Sequence, residues 1–394
     1  MLPKQILPKQ WLTRKNFLFS CVIIMSISFS CWMVLLNNFV VEKAAFTGAE
    51  IGILQSLREV PGFLSFTAVF LLLLWREQTL ALVALCLLTI GVAITGFFPF
   101  AYGLYATTVL MSIGFHYFEA VNQSLQLQYL TKQEAPTVMG QLISARSAAA
   151  LFSYASIWIF FNLLGFDFQV VYLLAGGLGL ILLILVWQIF PKFEEEVPQH
   201  KKLILRKRYS LFYLLTFFAG ARRQIFIVFA AFMMVEKFGY DASDIALLFI
   251  VNHSLNLYLA PKIGKWIGRV GERKALSIEY IGLIVVFSAY AVVDNAVIAA
   301  LLFIVDHMFF AMAIAIKTYF QKIADPADMA SSAGVSFSIN HIAAVIIPAA
   351  FGLIWLYDPA LVFYAGALIA FVSLILAQGI SYADEDLVAS EQES

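Results

Sequence analysis

Val41-Glu42-Lys43 leads into Ala49-Glu50-Ile51-Gly52-Ile53-Leu54, and Val235-Glu236-Lys237 leads at the same interval into Ser243-Asp244-Ile245-Ala246-Leu247-Leu248. The two stretches are 194 residues apart. The same offset carries Gly140 onto Gly334 and Arg146 onto Asn340. Self-similarity at a fixed offset is the mark of a duplicated architecture. The chain therefore reads as two copies of one unit, each about half of its 394 residues.

Composition says what surrounds those units. Hydrophobic residues make up 62% of the chain and charged residues only 13%. A soluble domain covers its core with roughly a quarter charged residues. This chain lacks the charge for such a surface, so its solvent is largely lipid. The formal net charge is zero, so no overall field points to a nucleic-acid partner. Cys21, Cys31 and Cys86 lie singly in apolar runs and read as small core residues, not a disulfide or metal framework.

A bilayer core takes roughly 20 apolar residues per helix. Runs of that kind fall near 17–41, 48–74, 79–98, 103–127, 138–164 and 168–190, then near 210–235, 244–262, 276–293, 296–319, 330–355 and 359–380. The expectation is an all-α membrane protein of about twelve transmembrane helices, built as two parallel six-helix repeats. Short stops such as Asp294-Asn295 and Tyr357-Asp358-Pro359 separate the runs. The first run is too long for a signal peptide and reads as a retained helix. The domain expectation is an N-terminal half at 1–190, a polar linker at 191–209, a C-terminal half at 210–381 and an acidic tail at 382–394. The charge run of the linker reads as a solvated connection.

Lysine and arginine orient the spans. The N-terminus and the loops after spans 2, 4, 6, 8 and 10, counted with Lys262 and Lys317 at the cytoplasmic ends of spans 8 and 10, hold 19 of the 25 basic residues, while the opposite loops hold only Lys43 and Lys237. The positive-inside rule then places both termini in the cytoplasm. Parallel repeats of this kind are a transporter signature, with a solute site expected near the midplane between the halves.

The loop after span 8 reads Gly264-Lys265-Trp266-Ile267-Gly268-Arg269-Val270-Gly271-Glu272-Arg273-Lys274. Together with the six-plus-six layout, it resembles the major facilitator superfamily. The signature loop of that family runs Gly, three residues, Asp, Arg, any residue, Gly, any residue, then two basic residues. Gly264, Arg269, Gly271, Arg273 and Lys274 match it, and Gly268 stands where the family usually has Asp. The resemblance implies a gating role for this loop, with its usual acidic latch missing. It also implies that spans 1, 4, 7 and 10 line the central path. The first-half copy of the loop is reduced to Trp75-Arg76-Glu77, and the Gly-Pro-rich motif of drug exporters is absent from span 5.

Ionisable residues within a membrane are costly and usually functional. Here they are Arg58-Glu59 in span 2, His116 and Glu119 in span 4, Arg146 in span 5, Arg222-Arg223 in span 7, His253 in span 8, Asp306-His307 in span 10 and His341 beside Asn340 in span 11. Ser112, His116, Glu119, Gln123 and Gln126 step by 4, 3, 4 and 3. That spacing puts them on one helical face, which suits either a wet cavity or an interhelical hydrogen-bond seam. Candidate substrate contacts are Arg58, His116, Gln123, Arg146, Arg222, Arg223 and Asn340. Glu59, Glu119, His253, Asp306, His307 and His341 are candidates for proton coupling or for charge pairing. Guanidiniums stay charged and need anions. Glu59, Glu119 and Asp306 are possible protein partners for Arg222 and Arg223, and a solute carboxylate or phosphate is the alternative. Adjacent residues lie about 100° apart on a helix, so one arginine of the pair faces a cavity and the other packs between helices. Glu279, near the end of span 9, is expected to pair with a basic residue of the Gly264–Lys274 loop.

The leading expectation is a secondary transporter of a small organic anion or amphiphilic acid, working by alternating access, with the ionisable pairs available for coupling protons. It would work as a monomer in a bilayer, expected to be a bacterial cytoplasmic membrane. No cofactor or resident metal is implied, and no phosphate-binding Gly-rich loop suggests ATP use. The alternatives are a metal or metal-chelate transporter using His253, Asp306, His307 and His341, a non-transporting receptor on the same fold, and an intramembrane enzyme. No His-Glu-x-x-His motif and no serine or cysteine beside an obvious base speaks for the last.

Overall fold

The computed structural model describes residues 8–46, 48–194, 197–200, 202–240 and 242–381. The expected acidic tail at 382–394 lies outside them, as do Glu195, Glu196 and Lys201 of the linker. Every regular element among the described residues is helical. The α-helices are α1 (Arg14–Glu42), α2 (Gly48–Phe63), α3 (Ala68–Leu71), α4 (Glu77–Thr95), α5 (Ala101–Tyr129), α6 (Ala135–Asn162) and α7 (Phe168–Ile189), followed by α8 (Ser210–Gln224), α9 (Ala231–Glu236), α10 (Ala242–Val270), α11 (Glu272–Val292), α12 (Ala296–Phe309), α13 (Ile314–Ile323), α14 (Met329–Tyr357) and α15 (Pro359–Gln378).

Helix ends follow the local chemistry. Thr13 accepts from the Asn16 amide to start α1, and Asp167 accepts from Val170 to start α7. The two stops read from the sequence act as caps. Asn295 accepts from the amides of Val297 and Ile298, and Asp358 accepts from Ala360 just before Pro359 begins α15. Each cap satisfies amides that a helix leaves unpaired at its N-terminus.

Three of the expected spans are not continuous α-helices. Span 2 passes through a 3-10 turn at Leu64–Thr67 between α2 and α3. Span 7 passes through a π-helical turn at Ile225–Ala230 between α8 and α9. Span 10 passes through a 3-10 turn at Phe310–Ala313 between α12 and α13. At the first break, the hydroxyls of Ser65 and Thr67 donate to the carbonyls of Gly62 and Leu64, which re-satisfies backbone groups that lipid could not.

Eight described helical segments are long and apolar enough to cross a membrane: Arg14–Leu36, Glu77–Thr95, Ala135–Asn162, Phe168–Ile189, Lys207–Ala230, Glu272–Val292, Ala296–Ile323 and Pro359–Gln378. The other four expected spans fall in α2–α3, α5, α10 and α14. They are helical too, and they carry Arg58-Glu59, His116 and Glu119, His253, and Asn340-His341 respectively. Large apolar side chains stand exposed on the outside of several helices, among them Ile181, Val285 and Leu368. Such a surface is suited to lipid.

The helices form two compact units. The first comprises Met1–Tyr129, Ala145–Leu203 and Ala330–Ser338. The second comprises Leu130–Ser144, Ile204–Met329 and Ile339–Ser394. In the first, α4 packs between α5 and α7. Gly114 and Gly176 make this possible: a Cβ at Gly114 would meet Ala84 and Leu88 backbone, and one at Gly176 would meet Thr89 and Ala93 backbone. In the second, α11 packs on α15, which also contacts α8. The repeat is visible inside each unit. Ser338 accepts from the Phe66 amide at 2.9 Å, and Ser144, one repeat length earlier, donates to the Leu257 carbonyl at 2.5 Å.

Candidate functional site

The polar stripe of α5 is buried along its length. Ser112, His116, Gln123 and Gln126 are at most 8% exposed, and Glu119 is 16% exposed. Helical spacing brings Ser112 Oγ to 2.9 Å from His116 Nδ1, and the same hydroxyl donates to the Arg58 carbonyl. The imidazole's other nitrogen lies 3.9 Å from Glu59 Oε2. Arg58 closes on Glu59 Oε1 through Nε at 3.1 Å and Nη2 at 2.6 Å. Arg58, Glu59 and His116 thus form one chain of contacts between α2 and α5.

Glu119 takes a different partner. Its Oε1 accepts from Arg146 Nη2 on α6 at 2.8 Å. The Arg146 backbone is itself held, since its carbonyl accepts from Ser26 on α1 at 2.7 Å. Of the acids considered as partners for Arg222 and Arg223, Glu59 and Glu119 are therefore committed within the first unit to Arg58 and Arg146.

In the second unit, Arg222 is 4% exposed and points among helices. Its Nη2 lies 3.5 Å from Glu279 Oε1 on α11, its Nη1 donates to Ser373 on α15, and its guanidinium sits 4.4 Å from the centre of the Tyr280 ring. This corrects the expectation for Glu279, which pairs with Arg222 and not with the loop before α11. The loop's bases Lys265, Arg269, Arg273 and Lys274 are exposed, whereas Glu279 is 5% exposed within the bundle. Arg222 is the member of the arginine pair that packs between helices; Arg223 is half-buried.

The π-helical turn begins just after this pair. Such turns recur at functional sites. Upstream, Gly220 lets α8 approach α14 closely, because a Cβ there would meet the Asn340 carbonyl at 2.7 Å. Asn340 Nδ2 reaches the Thr216 carbonyl at 3.5 Å, so this residue sits in a helix–helix seam.

Asp306 and His307 are neighbours in sequence but face different surroundings. Asp306 is 1% exposed, and Arg222 and Glu279 are the charged groups that act on it. His307 packs on Phe226 and Phe310, with ring centroids at 5.6 and 4.9 Å, and faces His253 at 6.4 Å. His341 is buried at 4% exposure. Among the described residues, no three of His253, Asp306, His307 and His341 bring their ligand atoms together.

The loop resembling the family signature is built around Gly271, whose φ of +84° favours glycine. Gly271 precedes α11, and Glu272, itself fully buried, pairs with the partly exposed Lys322 of α13 at 2.9 Å. A Cβ at Gly264 would meet the Pro136 carbonyl. Arg273 donates to Gln378 at 3.3 and 3.2 Å, while Arg269 and Lys274 are exposed. A second polar cluster gathers nearby around Asp328, which is fully buried. It accepts from Arg206 and from Tyr209 at 2.7 Å, with Arg208 at 3.6 Å. The Asp328 hydrogen bond holds the Arg206 guanidinium above its ordinary range. Arg206 and Arg208 belong to the linker's charge run, which reads as a solvated connection, yet both reach this buried acid. Their partner comes from 120 or more residues away, and no local pattern signals it.

The Major Facilitator Superfamily description matches residues 18–348. The chain belongs to the major facilitator superfamily. It is an integral, multi-pass membrane protein of a family whose members carry small-molecule solutes. Solved structures share its fold at low identity. The human organic anion transporter MFSD10 (TETRAN) is 12% identical with a TM-score of 0.76, over 94% of this chain and 100% of that one. A bacterial homologue of the iron transporter ferroportin in its outward-facing state is 11% identical with a TM-score of 0.73, over 95% and 100%. A variant of the E. coli fucose:proton symporter FucP is 14% identical with a TM-score of 0.72, over 93% and 98%. No curated protein sequence matches this superfamily member at a significant level.

Proposed function

We propose that the chain is a secondary active transporter of a small organic anion or amphiphilic acid, working by alternating access with both termini in the cytoplasm. The observation that carries the anionic solute is the state of Arg146. Its guanidinium spends one nitrogen on Glu119 and keeps 37% of its side chain exposed. A guanidinium offers five donors in a planar fork that matches a carboxylate or phosphate. Arg146 is thus fixed in place by one acid, with donors to spare for a second, transient one. Arg58 resembles it, held by Glu59 at 22% exposure. The likeness to an organic anion transporter supports the fold alone, so the anion rests on these side chains. Proton coupling is part of the proposal, because carboxylates that leave an arginine when a solute anion arrives are free to bind a proton.

The test is uptake into proteoliposomes carrying the purified chain. A panel of labelled organic anions should accumulate under an inward proton gradient or by exchange. Arg146→Gln should abolish accumulation of the preferred anion, and Lys at this position should restore it only in part. If no charged small molecule moves under either condition, the proposal fails. If a neutral sugar or a bare metal ion moves and Arg146→Gln leaves its uptake intact, the anionic solute is wrong.

A further inference from the structure

Within the second unit, one buried base faces two buried acids. Arg222, Glu279 and Asp306 are 4%, 5% and 1% exposed. The guanidinium has a full set of partners in Glu279 at 3.5 Å, the Ser373 hydroxyl and the Tyr280 ring. Asp306 has none of these. It feels Arg222 and Glu279 as charges, yet among the described residues it forms no ion pair, and its buried Oδ2 has no hydrogen-bond partner. Among the described residues, Arg222 is the one base that acts on it. The remaining groups around the cluster are the Tyr280 and Tyr290 phenols of α11. His307 is turned toward His253 and Phe310, and Glu236 of α9 is taken by the Trp355 indole at 2.9 Å.

An ionised carboxylate left uncompensated in a low-dielectric interior is neutralised by proton uptake before it is tolerated as a charge. We infer that Asp306 and Glu279 together form a site for one proton, which rests on Asp306 while Arg222 is paired with Glu279. The proton belongs to whichever carboxylate the guanidinium does not hold. If Arg222 shifts from Glu279 to Asp306, the O–H bond on Asp306 breaks, an O–H bond on Glu279 forms, and the net charge of the cluster stays at zero. The cluster joins α8, α11, α12 and α15, so a change in their packing becomes a proton transfer. Its use in driving solute movement rests on the transport function proposed above; the proton site itself does not.

Infrared spectroscopy of the full chain in lipid nanodiscs tests this without any solute, by reading the carbonyl stretch of protonated carboxylic acids. At neutral pH the wild type should show a component that Asp306→Asn removes. Glu279→Gln should remove the same component, because one acid then remains for one base and Arg222 ionises Asp306. Glu119→Gln should leave it in place. Arg222→Gln leaves two acids and no base, and the component should roughly double. The two amide variants are near-isosteric, so they carry the test if the Arg222 variant does not fold. The inference is overturned if the wild type lacks the component, or if it survives in Glu279→Gln. Failure of proteoliposome uptake alone would count against the transport function and leave this result standing.

Discussion

Arg146 Nη2 and Glu119 Oε1 meet at 2.8 Å between α6 and α5, while His116, one turn from Glu119 on the same stripe, turns instead toward Glu59. The acid and imidazole one helical turn apart are thus assigned to separate partners, each across a helix–helix contact.

That pairing makes charge swapping informative. Glu119→Gln or Arg146→Gln alone should lower stability by about 2 kcal/mol, between the values for exposed and buried pairs. Melting temperature in detergent reads this. The double exchange Glu119→Arg with Arg146→Glu should recover most of the lost stability while failing to restore solute uptake, because the guanidinium no longer stands on α6.

Gly176 and Gly177 are adjacent but differ in what surrounds them. A Cβ at Gly176 runs into the backbone of α4, whereas one at Gly177 meets nothing within 4 Å. Gly176→Leu should cost about 1–3 kcal/mol or more through overpacking, with Gly177→Leu close to neutral. Equal effects from the two would show that α4 and α7 are not packed as described.

Asp328 gathers Arg206, Arg208 and Tyr209 while fully buried. Asp328→Asn should cost about 1.5–3 kcal/mol, because it weakens charge-assisted hydrogen bonds from Arg206 and Tyr209 while water still reaches the two guanidiniums. Tyr209→Phe removes a single hydrogen bond to the carboxylate and should cost only about 1–2 kcal/mol. Melting temperatures of both variants at low and high salt would rank them. Salt should matter little for this cluster if Asp328 stays out of water.

Gly271 has a φ of +84° where the chain turns into α11. Gly271→Ala should therefore lower stability by about 1–2 kcal/mol through backbone strain alone. Proteolysis at the neighbouring basic residues Arg269, Arg273 and Lys274 should quicken as the turn loosens.

The elements that lipid dictates are the ones the sequence displays. A helix crossing hydrocarbon must be long and apolar, so runs such as Phe168–Ile189 stand out by length alone. Asn295 and Asp358 mark their helix starts because capping is local chemistry. The stripe on α5 is equally legible, since it depends on spacing within one helix. Partner choice is not. Glu279 is 57 residues from Arg222, and its nearness to a basic loop in sequence favoured the wrong partner. Asp328 is invisible as a hub because four spans, α8–α9, α10, α11 and α12–α13, separate it in sequence from its bases. The breaks at Leu64–Thr67, Ile225–Ala230 and Phe310–Ala313 fall within apolar runs that carry no proline at the break itself.

The π-helical turn in span 7 settles more than its own six residues. A π turn accommodates about one residue more than an α turn, so everything before Ile225 is rotated by roughly 100° relative to an unbroken α-helix continuing from α9. Seen from α9, that rotation determines which of two adjacent, chemically identical side chains looks toward α11. The choice between Arg222 and Arg223 is therefore made by counting, not by chemistry. Closing the wide turn without losing a residue would bring Arg223 into the place Arg222 now holds, whereas losing one residue between Ile225 and Ala230 would close it and leave both arginines facing as they do.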